Sequence, residues 1–153
     1  MTVRFSPTAS DLGTIGQDFD IPSNDPDENP VTVNVSGTAV TVAAPNISIS
    51  PSSIGFGTDT DCNGIIRTAT ISNTGSGSLN ITSITIIDSP NFSIQSNTCP
   101  ASLGAGSSCT VDVEFLSTTG GGAKSGTLVI QSNDPDTPTV NVGLSGTRVN
   151  LCP

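Results

Sequence analysis

The turn Asp59-Thr60-Asp61-Cys62-Asn63-Gly64-Ile65-Ile66 opens like a calcium-binding loop. Such a loop puts oxygen ligands at its first, third and fifth positions, glycine at the sixth for a sharp bend and an aliphatic residue at the eighth. Asp59, Asp61 and Asn63 are the oxygens here. The bidentate acid expected at the twelfth position is Thr70, and the residues around it read as a strand rather than a helix. Three oxygens fall short of the shell a hard cation needs, so calcium would be held weakly. The competing reading is an Asx-rich turn between two strands. No other cofactor is implied.

The four cysteines are the second chemical feature, and an even number suits an oxidising compartment. Cys99 and Cys109 bracket a short polar loop between two strand-like runs, where a local disulfide is expected. Cys62 precedes one strand and Cys152 lies just past the last. A bond between them would close a loop of 90 residues (152 minus 62), which the chain-entropy picture values at roughly 4 to 5 kcal/mol. The alternatives leave one or both of these thiols free, or pair Cys152 between chains.

Catalysis has little material, because the chain has no His and no Tyr. Acid–base work would fall to carboxylates. Asp112 and Glu114 share one parity of a strand, opposite Val111, Val113 and Phe115, which makes them an exposed face. The net charge of −9, with 13 acids against Arg4, Arg67, Lys124 and Arg148, argues against nucleic acid or anionic membrane as partners. No apolar run approaches the roughly 18 residues of a membrane span. Residues 1–20 lack the basic start and apolar core of a signal peptide. The Asn-x-Ser/Thr triplets at Asn34, Asn46, Asn80 and Asn91 are what chance yields in a chain this rich in Asn, Ser and Thr.

The elements carrying these residues read as strands. Period-two alternation recurs between Gly, Pro, Asn and Asp punctuation: Ile47 and Ile49; Ala69 and Ile71; Leu79 and Ile81; Ile84 and Ile86; Phe92 and Ile94; Val111, Val113 and Phe115; Leu128 and Ile130; Val140, Val142 and Leu144. Parity changes between Ile81 and Ile84, which predicts a bulge near Thr82 and Ser83. The pattern is all-β, an immunoglobulin-like seven-stranded β-sandwich.

The chain also repeats itself. Val113-Glu114-Phe115, Ser132-Asn133-Asp134-Pro135-Asp136 and Ser145-Gly146-Thr147 echo Val3-Arg4-Phe5, Ser23-Asn24-Asp25-Pro26-Asp27 and Ser36-Gly37-Thr38, at offsets of 110, 109 and 109 residues. A period of that size is a whole domain. Residues 46–149 therefore read as a complete sandwich, 43–45 as a linker, 150–153 as a tail, and 1–42 as the last three strands of a second copy. Pro22 stands where the complete copy has Gln131. Three strands without their opposing sheet would expose Val3, Phe5, Phe19, Ile21, Val33 and Val35, a patch suited to assembly. The repeated Ser-Asn-Asp-Pro-Asp is a hairpin turn, and Asp134 and Asp136 in it are candidates for contact with a neighbouring module.

Eight short motifs, in order and spacing, resemble the bacterial choice-of-anchor D repeat. Among them are Ile49-Ser50-Pro51, Ile54-Gly55-Phe56-Gly57, Ile71-Ser72-Asn73-Thr74-Gly75, Cys99, Leu103-Gly104-Ala105-Gly106-Ser107-Ser108-Cys109 and Leu144-Ser145-Gly146-Thr147. That repeat is similar to the ASH and MSP-like immunoglobulin folds. The resemblance implies an exported, often multi-repeat surface or extracellular protein with no enzymatic activity. The expected function is a structural or assembly module, either a spacer or a filament-forming repeat. The alternative is a calcium- or glycan-binding adhesin module. Expected partners are neighbouring copies of the repeat, in cis or in trans. No nucleic acid, membrane insertion or small-molecule ligand is expected.

Overall fold

The computed structural model describes residues 2–8, 10–60, 63–88, 90–116 and 120–149. The chain divides into two compact units, Met1–Val42 and Ala43–Pro153.

In the first unit, β1 (Gly13–Ile21) and β2 (Val31–Ala39) form an antiparallel hairpin. Residues 2–8 join no ladder, so of the three strands expected in residues 1–42, two are formed among the described residues. The second unit shows the reason. It comprises β3 (Ile47–Ser50), β4 (Ser53–Asp59), β5 (Ile65–Asn73), β6 (Leu79–Ile87), β7 (Phe92–Asn97), β8 (Ser102–Leu103), β9 (Ser108–Phe115), β10 (Gly122–Ser132) and β11 (Thr139–Arg148). One sheet runs β4-β11-β10-β6-β8 and the other β3-β5-β9-β7. The counterpart of residues 3–5 is the end of β9, which pairs with β5 and β7. The described part of residues 1–42 holds no equivalent of either partner, and a strand without a ladder partner leaves its backbone to water.

The fold is the expected sandwich, with nine strands among the described residues in place of seven. The two added ones are β8 and β4. β4 carries buried Ile54 and Phe56 in alternation, but Gly55 and Gly57 beside them read as turn punctuation in sequence. The bulge stands where parity required it. β6 pairs Ser83 with Gln131 and then Ile81 with Ser132, skipping Thr82.

Both sheets feed one core. Ala69 and Ile71 of β5, Val111, Val113 and Phe115 of β9, Leu128 and Ile130 of β10, and Val142 and Leu144 of β11 are all buried. Alternation along each strand sends one parity inward, which is the pleat's doing. With no Trp or Tyr, aromatic packing falls to Phe56, Phe92 and Phe115, whose ring centroids lie 5.0–5.8 Å apart in tilted pairs, within the favourable range for such contacts.

Cys99 and Cys109 are bonded, as the loop between them suggested. Closing so short a loop contributes about 2–3 kcal/mol in the chain-entropy picture. Replacing both by serine is therefore expected to lower the unfolding free energy by about 2–3 kcal/mol, measured by urea melts of the two proteins side by side. Cys62 and Cys152 lie outside the described residues.

Candidate functional site

Four places are candidates for a site: the clamp where the second unit begins, the turn around Asp59, the carboxylates Asp112 and Glu114 on β9, and the open apolar face of the first unit.

The clamp is built from two buried polar side chains. Asn73, at the end of β5, accepts hydrogen bonds at Oδ1 from the backbone N–H of Asn46 (3.2 Å) and of Gly75 (3.1 Å). Its Nδ2 donates to the carbonyls of Gly77 (2.7 Å) and Leu103 (3.0 Å). Every polar atom of this side chain is thus used, as burial demands. Asp134, in the β10–β11 turn, accepts from the Ile47 N–H at 2.7 Å through Oδ2, and from the Asp136 and Thr137 N–H groups at 2.9 and 3.1 Å through Oδ1. The bond from Ile47 is the main cause holding its carboxyl below the ordinary value of 3.8, while burial opposes it. Two consecutive amides, Asn46 just before β3 and Ile47 at its start, are therefore gripped by side chains from two different parts of the domain.

Residues 43–45, a linker by sequence, join this clamp. The Ala44 carbonyl accepts from the Ser76 and Gly77 N–H groups, both at 2.9 Å. Gly77 is needed there because a Cβ on it would sit 2.7 Å from the Ala43 carbonyl oxygen. By sequence Asp134 belongs to a hairpin turn and is a candidate for contact with a neighbouring module; in the structure its side chain is buried and accepts the Ile47 N–H at the start of β3. Asp136 is exposed. Asn73 escaped sequence reading, since Asn-Thr-Gly after a strand signals a turn and says nothing of the four bonds.

Around the calcium-like turn, Asp59 ends β4 and is 2% exposed, while Asn63 is exposed. Asp61 lies outside the described residues. Thr70, at the twelfth loop position, is in the middle of β5, paired with Ser50 and Thr110. Among the described residues, no three His, Cys, Asp or Glu side chains converge as a metal site would require.

Asp112 and Glu114 lie on the outer face of the β3-β5-β9-β7 sheet. Asp112 accepts from the hydroxyls of Thr68 (2.6 Å) and Ser96 (2.7 Å), and these bonds, Thr68 first, lower its pKa. Glu114 accepts from Ser93 and Gln95. These bonds tie neighbouring strands together across the sheet, and those to Asp112 favour its ionised form.

In the first unit, Val3, Phe5 and Ile21 are exposed, Phe19, Val33 and Val35 less so. Val3, Phe5, Ile15, Phe19 and Val35 line an open groove of about 790 Å³. The hairpin beneath it is a copy. β1 and β2 pair Gly13 with Ala39, and β10 and β11 pair Gly122 with Arg148; 122 minus 13 and 148 minus 39 are both 109. Both hairpins start on a left-handed glycine, Gly13 at φ 102° and Gly122 at φ 101°. The Phe5 ring lies over Gly37, 2.9 Å from where a Cβ would be, as the Phe115 ring lies over Gly146 at 2.7 Å. The difference is cover: Phe5 is 49% exposed and Phe115 is 0%.

By architecture this is an immunoglobulin-like module. The family model of the HYDIN/CFA65/VesB-like Ig-like domain matches residues 45–147. The chain belongs to that family. Among solved structures, it is similar to a protein of unknown function from Porphyromonas gingivalis W83, at 17% identity and TM-score 0.61, covering 92% of this chain and 68% of that one. It also resembles the secreted serine protease VesC from Vibrio cholerae, at 19% identity and TM-score 0.53, over 72% of this chain and 24% of that one. A third is the ASH/PapD-like domain 7 of human CEP192, at 17% identity and TM-score 0.50, covering 72% of this chain and 90% of that domain. At these identities the likeness is one of fold. No curated protein sequence matches the chain.

Proposed function

We propose that this chain is a non-catalytic, tension-resisting spacer from an exported bacterial protein, of the choice-of-anchor D kind, in which such modules succeed one another. The observation that carries the reading is the pairing of β4 with β11. These strands lie near the two ends of the domain, and they run parallel, from Ser53 beside Gly143 to Asp59 beside Arg148. The chain arrives at one end of this ladder and leaves at the other. Tension along the polypeptide therefore slides the two strands past each other, and the inter-strand bonds must break together rather than one by one. The clamp of Asn73 and Asp134 on Asn46 and Ile47 supports the same reading, because it anchors the arriving chain. The hydrogen bonds from the β5–β6 turn to Ala44 extend that anchor back to the start of the second unit.

A disulfide supports an extracellular setting, and so does the fold likeness to part of a protease described as secreted.

Single-molecule pulling tests the proposal, since forced unfolding reports the barrier directly. Handles at the two chain ends load β4 and β11 in shear, whereas handles at Ser53 and Gly143, at the same end of the ladder, peel it. The domain is expected to resist the first geometry at clearly higher force. Equal forces in the two geometries would remove the basis for a tension-resisting role.

A further inference from the structure

The first unit presents the same groups that, in the complete domain, hold the strands it lacks. In Ser132-Asn133-Asp134, the Asp134 N–H donates to the Ser132 hydroxyl at 3.3 Å and the Asp136 N–H to Asp134 Oδ1 at 2.9 Å. In Ser23-Asn24-Asp25, the Asp25 N–H donates to the Ser23 hydroxyl at 3.2 Å and the Asp27 N–H to Asp25 Oδ1 at 3.3 Å. The two turns share this internal bonding. In the complete copy the outward acceptors are occupied: Asp134 Oδ2 takes the Ile47 N–H of β3, and Asn133 Oδ1 takes the Asn80 N–H of β6 at 2.7 Å. The corresponding atoms of Asp25 and Asn24 sit on exposed residues. The same hairpin carries the groove of Val3, Phe5, Ile15, Phe19 and Val35.

Resting on the tandem-module reading above, we propose that the first unit is a preformed receiving half, and that its occupant is a repeat front half preceding it in the same polypeptide. That front half would carry the pattern of residues 44–112. Its β3-like strand would give an amide to Asp25, its β6-like strand an amide to Asn24, and its apolar face would close over Phe5, Phe19 and Val35. The complete domain shows what covers this face, since hairpin register, turn bonding and the Phe–Gly contact are all reproduced. A second copy of the present chain makes a poor occupant, because its own residues 44–112 are already built into its sandwich.

The test is a hybrid in which residues 44–112, with Cys62→Ser to prevent stray disulfides, are fused directly ahead of Val3 of the intact chain. This order reproduces the junction of Asp112 with Val113. Amide hydrogen exchange of β1 and β2 is read in the hybrid and in residues 1–153, with β10 and β11 as internal standard. Protection of β1 and β2 is expected to rise on the order of 100-fold or more in the hybrid, and Asp25→Asn is expected to reduce that gain while changing little in residues 1–153. Lack of added protection in the hybrid, with β10 and β11 intact, overturns the proposal. So does protection in residues 1–153 alone that grows with concentration, which would assign the face to a second copy. Either failure leaves the β4–β11 pulling comparison unaffected, so the two readings fail separately.

Discussion

Phe115→Ala is expected to destabilise the sandwich of residues 43–153 by about 3–5 kcal/mol, the usual cost of emptying a buried aromatic site. Phe115 is fully buried, contacts Phe56 and Phe92, and covers Gly146 in the opposite sheet. Its loss opens a cavity at the junction of the two sheets, where neighbours on several strands cannot all relax inward. For a domain of this size the melting temperature should fall by more than about 10 °C. Phe5→Ala is the control. Phe5 occupies the equivalent place over Gly37 but is 49% exposed, so the transition of residues 43–153 should not move. Calorimetry of the two variants distinguishes a closed core from an open one with the same local chemistry. Equal losses in the two variants would contradict the difference in cover.

Asp134→Ala is expected to have an effect of similar size. Three backbone N–H groups lose a charged acceptor, and hydrogen bonds to charged groups are worth about 1.5–3 kcal/mol each. They share one carboxylate and will not add fully, so the expected loss is about 3–5 kcal/mol. The pH dependence has a definite sign. The folded carboxyl is held below its ordinary value of 3.8. Its contribution is therefore present in full above the unfolded value and is lost as pH falls through the folded one. The stability gap between wild type and Asp134→Ala should be constant near neutral pH and narrow below about pH 4. Urea melts at pH 7, 4 and 3 measure it. A gap that stays constant down to pH 3 would mean that the carboxylate's charge is not what holds β3.

Much of the fold was legible because the pleat imposes a period of two and each strand obeys it. The bulge at Thr82 could be placed from the parity change alone, and the Cys99–Cys109 bond from a short polar loop between strand-like runs. β4 was hidden because Gly55 and Gly57 look like turn residues, although they leave Ile54 and Phe56 free to point inward. The clamp was half legible. The Ser-Asn-Asp-Pro-Asp turn announced itself by recurring, but which way Asp134 points depends on where β3 starts, and that is a long-range fact. Asn73 gave no signal, since an Asn at a strand end has the same local meaning whether or not its side chain is buried. The ladder missing from residues 2–8 has a similar cause. Those residues have strand character, but a strand is defined by its partner, and the pairing strands of the other sheet are not among the described part of residues 1–42.

If the chain joins one closed sandwich to the open half of another, amide hydrogen exchange of the intact chain will show it without any substitution. β1–β2 and β10–β11 have the same register, offset by 109 residues, so each amide of one hairpin has a matched standard in the other. An isolated two-stranded hairpin is marginal in water, whereas core strands exchange only through global opening. The slowest exchange in the molecule is therefore expected in β10 and β11, and the matched amides in β1 and β2 are expected to exchange faster by orders of magnitude. Equal protection of the matched pairs would mean that the first unit is closed after all.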